Sequence, residues 1–463
     1  MSLRANPLSP ALVREFDRTR SFFARAAICH APFKSLYFKP RGEVLACCLS
    51  DRYELGRYPE QSVMDIWRGA RAKDLRRAIL RRELPPACGG CRKEIEDGNF
   101  TSFSGRWCDG LPYNRKQPTA LEFQLGNTCN LECIMCYGVY SSAIRKNREN
   151  QPPLQSPYGK DFLEEMGRII PGISLARFSG GEPFLMDIYY GLWERIIDKN
   201  PRCRVRVITN GTVLNRRVRN LLDKAAFDIC VSLDSLDPKT YASIRVNAEL
   251  SQVLENIEWF RKRTAATNRA LSVSFCLLRQ NFKDLAPVVE YCNQMGAYLS
   301  VSPSYYPAET SLRTLSPEAL GMVCDHLALV RLPSSNERER YNLDVFNKTA
   351  NTVRGWLSES LEPAVEVSWE EFRKVAEERF VKQLALESAM LPPDEKNAGT
   401  RLVMEKFHAV LDSVSGKRQP DSRHLRAISG TDMTGSYEMF LNLPVEDLKA
   451  QLDDLFERPE WWW

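Results

Sequence analysis

The sequence predicts an α/β fold whose centre is a partial (β/α)6 barrel of the TIM type. Between residues 118 and 307, short apolar runs alternate with stretches in which apolar residues recur every three or four positions. Strands and helices that alternate in this way form repeated β-α units and a parallel sheet. Six such units are fewer than the eight of a complete barrel, so we expect a partial one.

The predicted elements indicate which end of the barrel carries the chemistry. The predicted strands are residues 120–125, 175–179, 204–209, 227–233, 271–278 and 297–302. The predicted helices between them are residues 185–200, 215–226, 252–266 and 283–296. In barrels of this kind the active site lies at the C-terminal ends of the strands. We therefore expect functional residues directly after each strand.

Two further regions flank the predicted barrel. Residues 1–117 form a small cysteine-bearing α+β domain, entered by a helix with Ser9 as its cap and Pro10 in its first turn. Residues 308–463 are predicted to be mainly helical, and the tract 415–436 is predicted to be a mobile loop between helices. The role of this C-terminal region, including the three tryptophans 461–463, is not predicted by any motif.

Composition limits the classes of function. The 64 basic and 59 acidic residues give a net charge of only +5, which makes nucleic acid an unlikely partner. No apolar run reaches the roughly 20 residues of a membrane span, and the N-terminus lacks the apolar core of a signal peptide. We therefore expect a soluble, cytoplasmic protein without membrane contact. In that compartment the fourteen cysteines are expected to be thiols or metal ligands rather than disulfides.

Three cysteines directly follow the first predicted strand. Cys129, Cys133 and Cys136 are spaced C-x₃-C-x₂-C within the stretch GNTCNLECIMCYG. Three thiolates leave one iron of a four-iron cluster open to another ligand. In this motif and in its position after a strand, the sequence resembles the radical S-adenosylmethionine (radical SAM) superfamily. The resemblance implies that the three cysteines hold a 4Fe-4S cluster that binds S-adenosylmethionine (SAM), and that reduction of SAM releases a 5′-deoxyadenosyl radical.

The resemblance extends to the ends of the next three strands. The stretch FSGGEPFL is similar to the GGE motif of the superfamily, so Gly180 and Gly181 are expected to approach SAM and Glu182 to meet its ammonium group. The stretches ITNGT and VSLDS are similar to other SAM-contacting strand ends. The resemblance implies four further SAM contacts, which are Thr209, Asn210, Ser232 and Arg245. Ser232 and Thr209 can equally be helix caps.

A second set of cysteines lies in the N-terminal domain. Cys29, Cys47 or Cys48, Cys88 and Cys91 offer four thiolates, which suit either a zinc ion or a four-iron cluster. Their order, with a strand-turn-strand pattern and a helix between the pairs, resembles the SPASM/twitch domains of radical SAM enzymes. The resemblance implies a second, auxiliary 4Fe-4S cluster in a single-cluster, twitch-like domain. Such domains usually follow the barrel, whereas this one precedes it.

From this resemblance we expect a radical SAM oxidoreductase. The expected reaction is the oxidative dehydrogenation or cross-linking of a ribosomally made peptide, with the auxiliary cluster as electron acceptor and Asp234 as a candidate general base. The alternatives are a dehydrogenase of a carbohydrate or aminocyclitol, and a redox-neutral radical SAM enzyme with a structural metal site near its N-terminus. A reductase such as flavodoxin or ferredoxin is the expected partner. A zinc-stabilised scaffold protein and a nucleic-acid-modifying enzyme are rival classes.

Overall fold

A twisted sheet of nine strands forms the centre of the molecule. The computed structural model describes residues 7–50, 53–100, 103–363, 365–387, 393–415, 419–430, 440–441 and 443–457. The strands are β1 (Ser35–Phe38), β2 (Glu43–Leu45), β3 (Gly56–Arg57), β4 (Ala120–Phe123), β5 (Leu175–Phe178), β6 (Arg204–Thr209), β7 (Phe227–Ser232), β8 (Leu271–Leu277) and β9 (Tyr298–Pro303). Their order in the sheet is β3-β2-β1-β4-β5-β6-β7-β8-β9.

The six predicted barrel strands are confirmed as β4 to β9. Strands β4 to β8 are parallel neighbours, and each starts within two residues of its predicted position. The predicted partial barrel is therefore present. Most differences lie at the C-terminal ends, where predicted residues such as Gln124 and Leu125 belong to loops rather than strands.

The N-terminal region continues the barrel sheet. Strand β1 pairs in parallel with β4, in the register Ser35↔Ala120 to Phe38↔Phe123. Strand β2 pairs antiparallel with β1 through the predicted strand-turn-strand pattern, and β3 pairs with β2. The turn contains Gly42 at φ +100°, where an added Cβ would lie 2.1 Å from the carbonyl oxygen of Tyr58. The sequence predicts the hairpin but not its attachment to β4.

Helices cover the outer face of the sheet and build the flanking regions. Within the described residues they are α1 (Pro10–Arg18), α2 (Ala31–Lys34), α3 (Val63–Arg68), α4 (Ala70–Leu80), α5 (Gly89–Glu96), α6 (Ser142–Asn147), α7 (Lys160–Ile169), α8 (Asp187–Lys199), α9 (Arg216–Lys224), α10 (Pro238–Ile244), α11 (Leu250–Ala266), α12 (Leu285–Met295), α13 (Pro317–Leu329), α14 (Glu337–Leu361), α15 (Trp369–Glu387), α16 (Pro393–Val414), α17 (Ser422–Gly430) and α18 (Val445–Glu457). Helix α1 starts as predicted, because Ser9 accepts a hydrogen bond from the backbone of Leu12 at 3.3 Å. No described helix is long and apolar enough to cross a membrane.

The outer face of the sheet packs through a row of aromatic rings. Phe38, Phe123 and Phe178 occupy equivalent register positions on β1, β4 and β5. Their ring centroids are 5.4 Å and 5.0 Å apart, in stacked arrangements. Phe162 of α7 and Trp193 of α8 meet this row edge-on. Because all five rings are buried, the row anchors both helices to the sheet.

The chain divides into two compact units. The first comprises residues 1–302 and 331–346, and the second comprises residues 303–330 and 347–463. The second unit has a core of its own, in which Phe380 and Phe407 stack at 3.9 Å. The mainly helical character predicted for this region is present in the described residues. The tryptophans 461–463 lie outside the described residues.

The predicted loop at residues 415–436 is wrong over part of its length. Residues 422–430 form α17, and Asp421 caps it by accepting backbone hydrogen bonds from Arg423 at 2.8 Å and His424 at 3.3 Å. His424 is buried, and the backbone N–H of Asp421 donates to its Nδ1 at 3.0 Å. The charged composition of this stretch therefore belongs to a capped helix with one buried face.

The aromatic row predicts the effect of removing one ring. We expect Phe123→Ala to lower the free energy of unfolding by about 3–5 kcal/mol, because it leaves a cavity between two stacked rings and the ring of Phe162. The measurement is urea unfolding of the cluster-loaded protein without oxygen. Phe22→Ala is the matched control, because the Phe22 side chain is 79% exposed. Equal effects of the two changes would contradict this role of the aromatic row.

Candidate active site and auxiliary cysteine site

The three-cysteine loop follows β4 and is held by contacts on two sides. The backbone N–H of Cys129 donates to the Ser142 hydroxyl at 3.1 Å, at the start of α6. The backbone N–H groups of Glu132 and Ile134 donate to the carbonyl groups of Val246 and Ile244 at 3.1 Å and 3.0 Å. These contacts fix the loop at the C-terminal end of the barrel strands, where the sequence predicts the site.

The three thiols form one electrostatically coupled group. Burial raises the pKa of Cys129 to about 11, and it raises the pKa of Cys136 to about 12 with Cys133 and Cys129 as further causes. Burial also raises the pKa of Cys133, whereas the nearby guanidinium of Arg245 lowers it. Thiols with raised pKa values give up their protons when iron binds, since the thiolate is the metal ligand. The donor set fits a cluster ligated by three cysteines.

Two glycines allow the loop after β5 to lie against the cysteine loop. Gly180 and Gly181 have φ values of +77° and +54°, which favour glycine. A Cβ on Gly181 would lie 2.5 Å from the carbonyl oxygen of Thr128, and a Cβ on Gly180 would lie 3.0 Å from Cβ of Gln124. Both positions therefore exclude a side chain, because the two loops already touch.

Glu182 joins the ends of β5 and β6. It is fully buried, and its carboxylate accepts hydrogen bonds from the Thr209 hydroxyl at 2.7 Å and from the backbone N–H of Asn210 at 2.7 Å. A third bond comes from the backbone N–H of Phe184 at 3.1 Å. Burial raises the pKa of Glu182 to about 7, although these hydrogen bonds lower it. The side-chain amide of Asn210 lies 3.9 Å from Sγ of Cys129, so this network borders the cysteine loop.

Arg245 reaches the same loop from the end of α10. Its Nη1 lies 3.8 Å from Sγ of Cys133, and its Nε donates to Asp234 at 2.6 Å. Asp234 is fully buried, and its other oxygen accepts a hydrogen bond from the backbone N–H of Cys276 at 2.7 Å. Both oxygens of Asp234 therefore contact protein donors. Ser232 is partly buried at the last position of β7, beside Ser274 of β8.

The interior of the barrel carries a row of charged side chains. Glu122, Arg177, Arg206 and Asp228 occupy equivalent register positions on β4 to β7. Glu122 is 5% exposed and forms an ion pair with Arg177 at 2.7 Å. Arg206 has a long contact of 3.5 Å with the Ser272 hydroxyl. The row lies two positions nearer the strand starts than Gln124 and Ser179, which are at the cysteine-loop end.

Arg177, Arg206 and Asp228 of this row line a cavity of about 670 Å³ that includes the starts of β5 to β9. Arg177, Arg204 and Arg206 supply three positive charges, and Asp228 contacts Arg204. Tyr298 and Tyr341 add aromatic surface. A cavity of this size and polarity suits an anionic small molecule.

The N-terminal cysteines lie together around a smaller cavity. It is lined by Cys29, Cys47, Cys48, Cys88 and Cys91, so the predicted set is in one place and both members of the Cys47/Cys48 pair border it. Burial raises the pKa of Cys88, and repulsion between its thiolate and those of Cys29, Cys47 and Cys91 would raise it further. The thiolate form that binds iron is thus disfavoured until a cation is present.

Further contacts involve residues in and beside this cavity. A Cβ on Gly105 would lie 2.8 Å from Sγ of Cys29, so a side chain there would fill the space beside the thiol. Cys108 is fully buried and lies outside the residues that line the cavity. Lys34 donates to the carbonyl group of Cys108 at 2.9 Å, which ties that backbone to the start of β1. Four of the five thiols that line the cavity would match the number of ligands of a four-iron cluster.

One residue borders both cavities. Trp107 lines the cavity of the N-terminal cysteines and also the barrel cavity. The guanidinium of Arg177 lies over its ring at 5.2 Å. Trp107 and the charged row were not predicted from the sequence. The charged row could have been predicted, because charged residues alternate with apolar ones in the strands LARF and RVRVIT.

Comparison with known families identifies two domains in this chain. Residues 123–292 match the radical SAM superfamily, and residues 29–92 match the SPASM iron–sulfur cluster-binding domain. The predicted order, with the SPASM-type domain before the barrel, is therefore confirmed. The two domains also confirm SAM, a 4Fe-4S cluster that binds it, and an auxiliary 4Fe-4S cluster as cofactors.

Two solved structures are similar to parts of this chain. Streptococcus suis SuiB bound to precursor peptide SuiA has 13% sequence identity, over 55% of this chain and 56% of that chain, with a TM-score of 0.35. The enzyme anSMEcpe with bound AdoMet has 18% identity, over 45% of this chain and 58% of that chain, also with a TM-score of 0.35.

The curated relatives match one part of the chain. A probable GTP 3′,8-cyclase of Methanocaldococcus jannaschii is 28% identical over 187 residues, which are 39% of this chain and 57% of the relative. GTP 3′,8-cyclase of Corynebacterium glutamicum is 28% identical over 186 residues, which are 39% of this chain and 47% of that protein. The chain therefore spans about half the length of the curated relatives it matches.

These relatives correct the predicted reaction. The expectation of an oxidative peptide dehydrogenation or cross-link, and its carbohydrate alternative, is wrong, because the similar curated proteins are named GTP 3′,8-cyclase. The error arose because a SPASM/twitch-like domain indicates a metal cluster but does not by itself specify the substrate. What remains of the prediction is the radical SAM chemistry. The chain contains a radical SAM domain at residues 123–292, preceded in the sequence by a SPASM-type iron–sulfur cluster-binding domain at residues 29–92.

Proposed function

We propose that this protein is a radical SAM enzyme that acts on a phosphate-bearing nucleotide, of which GTP is the first candidate. The observation that carries the proposal is the cavity inside the barrel, where Arg177, Arg204 and Arg206 line a space of about 670 Å³. Arginine forks recognise phosphate groups, and this volume is large enough for a nucleotide. The name of the curated relatives, GTP 3′,8-cyclase, supports the same substrate class.

The end of the barrel with the cysteine loop is assigned to SAM. Cys129, Cys133 and Cys136 would hold the cluster, which together with SAM supplies a 5′-deoxyadenosyl radical. Glu182 would accept a hydrogen bond from the amino group of SAM, and Arg245 would pair with its carboxylate. A single buried network supports this assignment, since Glu182 lies within hydrogen-bond distance of Asn210, whose amide approaches Cys129.

Other residues around this site are assigned positioning roles. Thr209 orients Glu182 through a hydrogen bond of 2.7 Å. Asp234 orients Arg245, because its oxygens already accept bonds from that guanidinium and from the backbone of Cys276. We therefore assign Asp234 to positioning rather than to proton abstraction. Ser232, Gly180 and Gly181 complete the surface that SAM would face.

The substrate is assigned to the charged row. Arg206 is the residue best suited to a phosphate, since its contact with Ser272 is long and leaves its donors available to a stronger acceptor. Arg177 is already paired with Glu122, so it would be shared between that carboxylate and the ligand. Trp107 lines both this cavity and that of the N-terminal cysteines, which supports an auxiliary cluster site next to the substrate.

The direct test of the function uses deuterated GTP. With the reconstituted, reduced enzyme, we expect GTP to stimulate the formation of 5′-deoxyadenosine from SAM. We also expect deuterium from GTP labelled throughout its ribose to appear in that product. GTP that neither stimulates SAM cleavage nor transfers deuterium would refute GTP as the substrate.

The role of Arg206 predicts a specific loss of affinity. Arg206→Gln should weaken the binding of GTP by about 10–100-fold, because a hydrogen bond between charged groups contributes about 1.5–3 kcal/mol. The affinity for guanosine, which has no phosphate, should change by less than about threefold. The affinities for GTP and for guanosine are both measured by calorimetry without oxygen.

Arg261→Gln is the matched control, since it removes the same charge from an exposed ion pair on α11. An unchanged affinity for GTP in Arg206→Gln would contradict the assignment. An equal loss of affinity for GTP in Arg261→Gln would also contradict it.

The raised pKa of Glu182 predicts a proton release on SAM binding. In the absence of SAM the carboxyl group is about half protonated near pH 7. A donor from SAM favours the carboxylate, so binding expels this proton and the affinity rises as the pH rises through 7. Wild type should release about half a proton more per SAM than Glu182→Gln at pH 7, as measured by calorimetry in buffers of different ionisation enthalpy.

Glu258→Gln provides the control for this measurement. Hydrogen bonds from Arg261 lower the pKa of Glu258 to about 2, so this exposed carboxylate does not titrate near pH 7. Glu258→Gln should release as many protons on SAM binding as wild type does. Equal proton release by wild type and Glu182→Gln would show that Glu182 does not contact SAM.

A further inference from the structure

A second basic cavity lies outside the barrel, on the N-terminal region. It has a volume of about 470 Å³ and is bounded by α4, α2 and the segment before β4. Four of its lining residues are cations, namely Lys73, Arg76, Arg77 and Arg115. None of them lines the barrel cavity or the two cysteine sites. The cavity is therefore separate from the sites described above.

Arg76 is built into the wall of this cavity. Its guanidinium lies over the ring of Trp67 at 4.1 Å, and its Nε donates to the carbonyl oxygen of Pro32 at 2.7 Å. These two contacts hold the guanidinium in one orientation. Its Nη2 atom is buried and finds no hydrogen-bond partner among the residues that the structure describes. A buried donor without an acceptor is costly, so this end of the guanidinium has hydrogen-bonding capacity that the protein itself leaves unused.

Three of the four cations that line the cavity form no ion pair among the described residues. The fourth, Arg77, is paired with Asp74, which is exposed. Burial lowers the pKa of Arg76, which is the direction expected for a cation that lacks a counter-ion. The cavity therefore concentrates positive potential at a concave surface.

The shape and the aromatic wall indicate the size of the ligand. Tyr113, whose side chain is 63% exposed, and the half-buried Phe33 line the cavity beside the cations. A concave volume of this size matches small-molecule sites, whereas protein partners more often meet flatter surfaces. Guanidinium forks and a lysine match the geometry of phosphate oxygens. Aromatic side chains next to them can contact a planar ring.

We propose that this cavity binds a small molecule that carries two or more phosphate groups, at a site distinct from the substrate cavity. Arg76 is the central donor, and Lys73 and Arg115 are the exposed cations that close around the phosphates. Arg77 contributes less, because Asp74 already neutralises it. This site does not depend on the identity of the substrate in the barrel.

Labelled inorganic pyrophosphate is the probe for this site. Equilibrium dialysis at about 0.15 M salt uses the cluster-loaded protein that carries Arg206→Gln, which weakens the proposed barrel site. We expect saturable binding of one pyrophosphate per chain. Adding Lys73→Gln and Arg115→Gln should weaken it at least tenfold, and adding Arg92→Gln should leave it unchanged. Arg92 is a suitable control because it pairs with Glu96 on α5, away from the cavity.

A further variant tests the central arginine without removing its charge. Arg76→Lys keeps a cation but loses the fork, so its affinity for pyrophosphate should fall by about tenfold. Circular dichroism confirms that each variant folds. Binding that is absent, non-saturable, or reduced equally by Arg92→Gln would overturn the proposal. Dialysis measures pyrophosphate binding alone. Absence of binding together with GTP turnover would overturn only this second site, and binding without GTP turnover would overturn only the proposed function.

Discussion

The parallel pairing of β1 with β4 is the interaction on which the arrangement of both cysteine sets depends. Cys29 precedes β1 by way of the short helix α2, and Cys47 follows the antiparallel strand β2. Both residues therefore lie where β4 starts. Cys129 lies beyond the other end of β4, because the three-cysteine loop follows that strand. One pair of strands thus sets the two cluster sites at opposite ends of the same sheet.

The two faces of the barrel strands differ in polarity. On the outer face, β1 extends the row of aromatic rings that packs against helices. The opposite face of β4 and β5 carries Glu122 and Arg177, and their ion pair offsets part of the cost of burying them. Trp107 covers this pair on the side of the N-terminal cysteines. The barrel cavity and the cavity of the N-terminal cysteines consequently share a wall.

Local patterns in the sequence predict much of this architecture, and long-range pairing accounts for most of what they miss. The six barrel strands are recognisable because each is a short apolar run, and the cysteine spacing indicates two candidate cluster sites. The attachment of β1 to β4 joins residues about 85 positions apart, and no local pattern encodes such a register. The ion pair of Asp234 with Arg245 was missed for a similar reason, since it depends on how α10 ends beside β7. The substrate was wrongly predicted because the resemblance concerned the metal sites and not the interior side chains of the barrel, such as Arg177 and Arg206.

The most direct test of this account is the iron content per chain after anaerobic reconstitution. Three proteins are compared: wild type, the Cys129/Cys133/Cys136→Ala variant and the Cys29/Cys47/Cys88/Cys91→Ala variant. Two separate four-iron clusters predict about eight irons in wild type and about four in each variant. About four irons in wild type, and none after loss of the three-cysteine loop, would contradict an auxiliary cluster in the N-terminal site. Such a result would leave the barrel cavity bordered by cysteines without iron.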